Sequence, residues 1–478
     1  MSDILLLNPP YTSLGYKAIS SFASRSFPIG LGSISGTLRD RGFSFDIIDA
    51  DALNIDIDEI LRRIVKLKPR IIGISTYTAC IGVTQKIAGS LKKVMEDSII
   101  VLGGHHAFAA RGELLNECPC DIVAIGEGEG LFADICDCIL NKKDLNTVKG
   151  IYFRDNSGKA RYTGERPYIQ NLDELPRPAY ELFPMDRYMG HFFRGWTSGC
   201  RTPFINMMTS RGCPFTCGFC SNVLWGKKVR FQSPERVISE IDYLVRSYGI
   251  KQLAFFDDSF TLDMKRAERI CDLLIEKRYN LDISCATRAD LLNDNLLEKM
   301  TRSGFRWIGI GIESGNERIL KKISKGQSLK RYSDALKMIA RHRIASYGSV
   351  IFGYPGEDKS TMRDTLSFML ANPVHLPQIS IFVPYPGTPI YKELVEQGAS
   401  IPGDINQFSR VVSYNTDISA WYLVFFQWYS YFRIFFRVRY FNLIRKTFIL
   451  PIVIIDLARI ALAGSRLGRA RRRVKRVS

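Results

Sequence analysis

Three cysteines fall within eight residues, in the run Cys213-Pro214-Phe215-Thr216-Cys217-Gly218-Phe219-Cys220. They follow a predicted strand and sit on a loop, where their thiolates can converge on one metal centre instead of splaying around a helix. The C-x3-C-x2-C spacing departs from the paired C-x2-C of structural zinc sites. No fourth cysteine stands close by to complete a fully ligated iron–sulfur cluster. A cubane held by three thiolates keeps one iron open, and a substrate can coordinate there. The competing readings are zinc completed by a remote histidine, or three buried thiols.

Other residues carry weaker signals. Asp257 and Asp258 close a predicted strand. Adjacent carboxylates on a strand point to opposite faces and cannot act as one acid–base pair. Each contacts a ligand, or lies beside a helix N-cap supplied by Ser259 or Thr261. Glu313 follows Gly309-Ile310-Gly311-Ile312, whose glycines let a ligand approach the backbone. Its carboxylate accepts hydrogen bonds from that ligand, or favours a helix start through the dipole. Arg288 pairs with a ligand carboxylate or forms a surface ion pair. Gly103 and Gly104 are a turn, or a cradle for a flat ligand. His105 and His106 are tempting metal ligands, but a lone histidine more often hydrogen-bonds locally. The pairs Cys118/Cys120 and Cys136/Cys138 read as packing or free thiols, and Cys200 has no assigned role.

The elements that must position these residues are short apolar strands alternating with helical patterns. In the first 140 residues the strands are Ile4–Leu7, Phe43–Ile48, Arg70–Ser75, Ile99–Leu102 and Asp121–Ile125, with helices at Gly30–Arg41, Ile57–Leu67 and Gly82–Glu96. Alternation of this kind implies a parallel sheet covered on both faces. Ligands bind at the carboxyl ends of such strands. Here those ends are Pro9-Pro10-Tyr11, Ser75-Thr76-Tyr77, Gly103-Gly104-His105-His106 and Gly126-Glu127-Gly128-Glu129-Gly130. Ile151–Phe153 and Ala160–Tyr162 read as a hairpin, and Leu175-Pro176-Arg177-Pro178 as a rigid extended linker. Six further strands follow: Phe204–Thr209, Gln252–Phe256, Asp282–Thr287, Trp307–Ile312, Ser346–Phe352 and Gln378–Val383. They predict a second parallel α/β domain, an open barrel.

In combination these motifs resemble the radical S-adenosylmethionine (SAM) superfamily, in its cobalamin-dependent branch. The resemblance rests on the cysteine triplet and on Phe255-Phe256-Asp257-Asp258-Ser259-Phe260, Thr287-Arg288-Ala289-Asp290, Gly309–Gly315, Gly353-Tyr354-Pro355-Gly356-Glu357 and Pro384–Pro389. It rests also on Val101–His106 and Gly126–Glu129 of the first domain, and it spans roughly residues 3–400. The resemblance implies a Rossmann-like cobalamin-binding domain over 1–145 and a linker with a hairpin over 146–198. A partial (β/α)6 radical SAM barrel then spans 199–400, and a helical, basic C-terminal region 401–478. It implies that Cys213, Cys217 and Cys220 hold a [4Fe–4S] cluster. Phe219, Asp258, Arg288, Glu313 and Ser314 would bind SAM, and Pro10, Thr76, Gly103, Gly104, Gly126 and Glu127 cobalamin. The loop Pro9-Pro10-Tyr11-Thr12-Ser13 lacks the Asp-x-His-x-x-Gly motif of many cobalamin domains, which implies a corrinoid without a histidine ligand. The implied reaction is C-methylation of an unactivated carbon through a 5′-deoxyadenosyl radical and methylcobalamin. Its alternatives are cyclisation or rearrangement, a non-catalytic corrinoid protein, and methylthiolation. A flavodoxin or ferredoxin is the expected electron donor.

Composition narrows the partners. With 478 residues, 46% hydrophobic and 24% charged, the chain is a folded protein of two or three domains. Eleven cysteines and no evident signal peptide predict free thiols in a reducing cytoplasm. Residues 419–478 hold 13 Lys and Arg against the single acid Asp456, so the tail carries +12 of the net +18. Trp421–Phe441 is expected to pack helices on the barrel. The stretch 449–462 is broken by Pro451, Asp456 and Arg459 and is too interrupted to span a bilayer, which takes about 20 apolar residues. Residues 447–478 are expected on an anionic membrane surface, with a small-molecule or lipid substrate and no nucleic acid.

Overall fold

The computed structural model describes residues 2–10, 25–188, 203–221, 226–399, 401, 412–415 and 417–436. Cys200, the linker beyond Tyr188 and the tail from 437 onward lie outside the described residues.

The first sheet has seven strands: β1 (Ile4–Asn8), β2 (Phe45–Asp49), β3 (Ile71–Ser75), β4 (Ile99–Gly103), β5 (Ile122–Ala124), β6 (Ile151–Arg154) and β7 (Ala160–Tyr162), in the order β2-β1-β3-β4-β5-β6-β7. The first five run parallel. Every residue of β1 is buried, as a strand covered on both faces requires. Alternate side chains feed two cores. Leu5, Leu7, Ile72 and Ile74 meet Ile60 and Ile64 of α2 (Ile57–Leu67) and Ile87 and Leu91 of α3 (Ile81–Val94). Ile4, Leu6 and Ile71 meet Leu31 and Leu38 of α1 (Ile29–Asp40) and Leu131 and Ile135 of α4 (Gly128–Leu140). Each fully buried Leu or Ile contributes roughly 1.5–3 kcal/mol.

The hairpin predicted as part of a linker belongs to this sheet: β6 pairs antiparallel with β5 through Ile122↔Phe153 and Ala124↔Ile151. Ladder hydrogen bonds along the free edge of β5 outweigh the sequence gap between them. Nor is the Pro-rich stretch a free spacer. Arg177 O lies against Gly36, Tyr180 donates to Glu240 Oε1 (2.7 Å) and Tyr188 to Asp49 Oδ2 (2.6 Å). Phe27 N donates to Asn206 Oδ1 (2.8 Å), and Asn206 Nδ2 returns a bond to Phe27 O (3.0 Å). Tyr180, Phe183 and Tyr188 join Phe27, Ile205 and Met207 in one apolar core shared by both sheets.

The second sheet is wholly parallel, in the order β15-β14-β13-β12-β11-β8. Its strands are β8 (Phe204–Met207), β11 (Gln252–Phe255), β12 (Asp282–Thr287), β13 (Phe305–Glu313), β14 (Ala345–Phe352) and β15 (Leu376–Ile381). Its ends, β15 and β8, are not paired with each other, so the barrel is open as expected. Polar caps start the covering helices. Ser233 opens α5 (Pro234–Tyr248), Asp263 α6 (Met264–Lys277) and Asn293 α7 (Asp294–Ser303). Asn316 opens α8 (Glu317–Ile323) and Ser328 α9 (Leu329–Arg341). Asp358 opens α10 (Lys359–Ala371) and Thr388 α11 (Pro389–Glu396). Between β8 and β11 a short ribbon pairs β9 (Ser210–Arg211) with β10 (Arg230–Phe231). α12 (Ala420–Phe435) packs on the barrel as expected for this stretch. Leu423, Phe426 and Ile434 are buried, and Gln427 Nε2 donates to Ile379 O (2.7 Å).

Candidate functional site

The cysteine loop leaves the sheet at β8 and is pinched at its neck. Gly212 has φ +95°, and a Cβ there would stand 2.6 Å from Lys228 O, so only glycine fits. The loop is tied to the barrel by Gly218 N donating to Ile323 O (2.8 Å) and Ile390 N donating to Gly218 O (3.0 Å). Phe219 anchors it in an apolar cluster with Ile323, Tyr354, Phe382 and Ile390. These contacts leave Cys213 and Cys217 half-buried and Cys220 exposed, all three as free thiols. Burial pushes each thiol up, that of Cys220 to about 12; Lys325 and Arg288 act in the opposite sense on Cys217. The protein alone therefore holds thiols, and a metal cluster must displace their protons on binding. The donor set fits a cubane. Three soft thiolates on one short loop are the donors an iron–sulfur cluster takes.

Strand register sets a row of small and polar residues across β13, β14 and β15. Gly311 of β13 pairs with Ser349 of β14, and Ser349 with Gln378 of β15. Gln378 and Ser380 are exposed on the open face of β15. Deeper in the barrel the Tyr347 ring lies across Gly309, where any side chain would overlap it. Glu313 ends β13 in the left-handed region, φ +65°, a strained conformation for a residue with a Cβ. Its carboxylate is paired with Lys325 Nζ. Both charged groups lie over Gly311, where a Cβ would sit 2.5 Å from Glu313 Oε1 and 2.6 Å from Lys325 Nζ. Glu313 thus closes a strand beside the cluster loop and lies outside the next helix, which Asn316 caps and which begins at Glu317. Arg288 is buried, bonds both oxygens of Asp290 (3.0 Å each) and Lys325 O (3.2 Å), and covers the Phe215 ring at 3.5 Å. Tyr332 of α9 is buried near Glu313 and Cys217, and its hydroxyl has no hydrogen-bond partner among the described residues.

Other predicted residues are engaged elsewhere. Asp258 is exposed at the mouth, its charge reaching Cys213 and Cys220. Asp257 is buried and ties down β9, accepting from Thr209 N (2.8 Å) and Ser210 Oγ (2.6 Å). Neither Ser259 nor Thr261 caps a helix. Ser259 Oγ meets Thr287 Oγ1 (3.1 Å), Thr261 Oγ1 donates to Leu291 O (2.7 Å), and Asp263 takes the cap. The Ser314 hydroxyl accepts from Asn316 N (3.2 Å) within its own turn and meets Thr365 Oγ1 of α10 (3.2 Å).

At the carboxyl edge of the first sheet, Pro10 is buried beyond β1. The Thr76 hydroxyl donates to Gly103 O (2.7 Å) and accepts from Ala107 N (3.1 Å), so it braces the β4 turn. Gly104 has φ +102°, and a Cβ there would stand 2.8 Å from Thr76 O, so the position takes glycine. A Cβ at Gly126 would meet nothing within 4 Å, so its backbone faces open space. Glu127 departs furthest from expectation. Its carboxylate is buried and bonded to Arg211 (2.7 Å), Arg230 (2.7 Å) and Ile169 N (2.6 Å), which leaves it turned to the second domain. His106 is buried with Nδ1 at 3.1 Å from Thr78 Oγ1, and burial pulls it down to about 4, so it is neutral. Cys118, Cys120, Cys136 and Cys138 are all packed in the cores as expected. Lys325 and Tyr332 were missed from sequence, because each reaches the site from a helix or loop with no motif of its own.

Comparisons with known proteins agree with this layout. The Radical SAM superfamily model matches residues 207–369 and the B12 binding domain model residues 17–136. An uncharacterised methyltransferase of Pyrococcus horikoshii is 35% identical over 393 residues, 81% of this chain and 82% of that protein. The anaerobic magnesium-protoporphyrin IX monomethyl ester cyclase of Rubrivivax gelatinosus is 25% identical, covering 82% of this chain and 70% of that protein. The structure of the radical SAM methyltransferase TsrM from Kitasatospora setae, with cobalamin and a [4Fe–4S] cluster bound, superposes with a TM-score of 0.67. It has 17% identity and covers 83% of this chain and 75% of that one.

Proposed function

As the chain belongs to the cobalamin-dependent radical SAM enzymes, we propose that its reaction is methylation of an unactivated carbon in a membrane-partitioned small molecule. Its cofactors are a [4Fe–4S] cluster, SAM and cobalamin. When bound, they supply a 5′-deoxyadenosyl radical that takes hydrogen from carbon and a methyl group to replace it. The chain's own residues bind and orient. Cys213, Cys217 and Cys220 hold the cluster on a loop braced from two sides. Lys325 and Arg288 offer cations to the SAM carboxylate, and Glu313 and Asp258 offer anions to its amine. Phe219 fixes the loop against the barrel. Gln378 and Ser380, exposed on the open face, offer hydrogen bonds to a polar group of the substrate. Pro10, Gly103, Gly104 and Gly126 give cobalamin a backbone edge with few side chains to obstruct it.

The relative of Pyrococcus horikoshii carries the methyl-transfer reading, since that methyltransferase matches along most of both chains. The cyclase of Rubrivivax gelatinosus supports ring closure as a second reading. Two features support the membrane site. Trp421, Phe425, Phe432 and Phe436 are exposed along one side of the C-terminal helix, and the basic tail follows. No helix among the described residues is long and apolar enough to cross a membrane. The test is anaerobic reconstitution of the full chain with iron, sulfide and hydroxocobalamin, a flavodoxin as reductant, and SAM carrying a deuterated methyl group. Lipid extracts are offered as substrate and read by mass spectrometry. A product bearing the labelled methyl is expected. An unlabelled product with a new ring would replace methylation by cyclisation.

A further inference from the structure

The cluster loop leaves and rejoins the protein through the β9–β10 ribbon, in which Arg211 stands directly opposite Arg230. Both guanidinium groups are buried, with side chains 8% and 3% exposed. Like charges facing each other across a ribbon repel, and buried cations need counter-charges. The carboxylates that meet them come from the first domain, on the loop after β5. Glu127 sits between the two arginines, giving Oε1 to Arg211 and Oε2 to Arg230 at 2.7 Å each. Glu129, in the first turn of α4, takes the other arm of Arg211. The set balances two carboxylates against two guanidinium groups. Burial opposes ionisation of Glu129, yet the Arg211 charge and hydrogen bond hold its carboxyl below the ordinary range. Arg230 is further clamped by Ile169 O (2.8 Å) and the Tyr168 ring (4.8 Å).

We propose that Glu127 and Glu129 latch the neck of the cysteine loop, so that the loop holds its cluster-binding shape only while the cobalamin domain is docked. These are positioning residues: their carboxylates are taken up by the two arginines, and they act through Arg211, two residues before Cys213. The device assembles the two cofactor domains as one unit. Its link to the cluster rests on the reading of Cys213–Cys220 as the cluster loop.

The test uses the full chain, with and without reconstituted cluster. Glu127→Gln keeps the shape of the side chain and leaves the two arginines facing each other. The double variant Glu127→Gln with Arg230→Gln removes one charge from each side. Hydrogen exchange read by mass spectrometry should quicken at residues 210–221 in the single variant by at least about tenfold, the scale set by breaking a buried pair. Exchange in β1 and β3 should stay unchanged. The double variant should recover part of the protection. In loaded protein, iron loss to a ferrous chelator should follow the same order. Unchanged exchange at 210–221 in Glu127→Gln would overturn the proposal, as would an equal rise along the whole chain. Failure of the native protein to take up iron and sulfide would overturn the cluster reading alone. Exchange in unloaded protein would still report on the latch.

Discussion

Replacing Lys325 by methionine keeps an unbranched side chain of nearly the same length and removes its charge. Lys325 and Glu313 have side chains only 9% and 8% exposed, and their charges lie over Gly311 beside Cys217. Breaking a buried pair from one side leaves an uncompensated charge, at a cost of about 3–5 kcal/mol. Urea unfolding of the cluster-free protein should show a loss of that order. Removing Glu313 as well, in Lys325→Met with Glu313→Gln, takes both charges out together, and much of the stability should return. SAM binding should behave differently. If Lys325 meets the SAM carboxylate, the lost charged hydrogen bond costs about 1.5–3 kcal/mol, roughly ten- to a hundredfold in affinity. The double variant should not recover it. Calorimetric titration of reconstituted protein with SAM decides between the roles. Native affinity in Lys325→Met would refute the cofactor contact. Recovery of affinity in the double variant, in step with stability, would show that Lys325 serves Glu313 alone.

Three further outcomes follow from other parts of the molecule. Replacing Cys213, Cys217 and Cys220 together by alanine should abolish iron–sulfur absorbance and formation of 5′-deoxyadenosine; nucleoside still released under reduction would refute the assignment. Burial lifts the Glu357 carboxyl to about 8 from an ordinary 4.5. A raised folded-state value means stability that is full below pH 4.5 and lost as pH rises through 8, when the native state must release a proton the unfolded chain has already lost. Glu357→Gln should flatten that decline in urea unfolding between pH 5 and 9, and an unchanged slope would refute it. Full-length protein should float with liposomes containing anionic lipid at low salt, and deletion of residues 466–478 should remove the salt-sensitive share, since each Lys or Arg contributes about 1 kcal/mol near such a surface. Protein left in the soluble fraction at low salt would refute membrane docking.

The sequence carried everything that depends on neighbours along the chain. Strands alternated with helices at readable periods, so the parallel strands of both sheets were legible, and structure moved their ends by only a residue or two. Six barrel strands appeared where apolar runs stood, from Phe204–Met207 to Leu376–Ile381. The cysteine triplet was legible for the same reason: three ligands for one centre sit on eight consecutive residues, and no folding is needed to bring them near. Glu313 stood out because glycines at alternate positions mark a strand that something approaches closely.

What tertiary structure alone decided concerns partners far apart in the chain. A hairpin that could have hung in a linker pairs with β5, since an open strand edge offers hydrogen bonds that no sequence pattern announces. Glu127 lies in a loop that resembles a ligand-binding loop, yet its partners are Arg211 and Arg230, 84 and 103 residues away. Asp263, not Ser259 or Thr261, caps its helix, because Thr287 on the neighbouring strand takes the two hydroxyls. Lys325 meets Glu313 because one lies in the loop after α8 and the other ends the strand before it. Periodicity records which face of an element is apolar. It holds no record of which charges meet when the ends of several strands converge, and buried charges are settled only by that meeting.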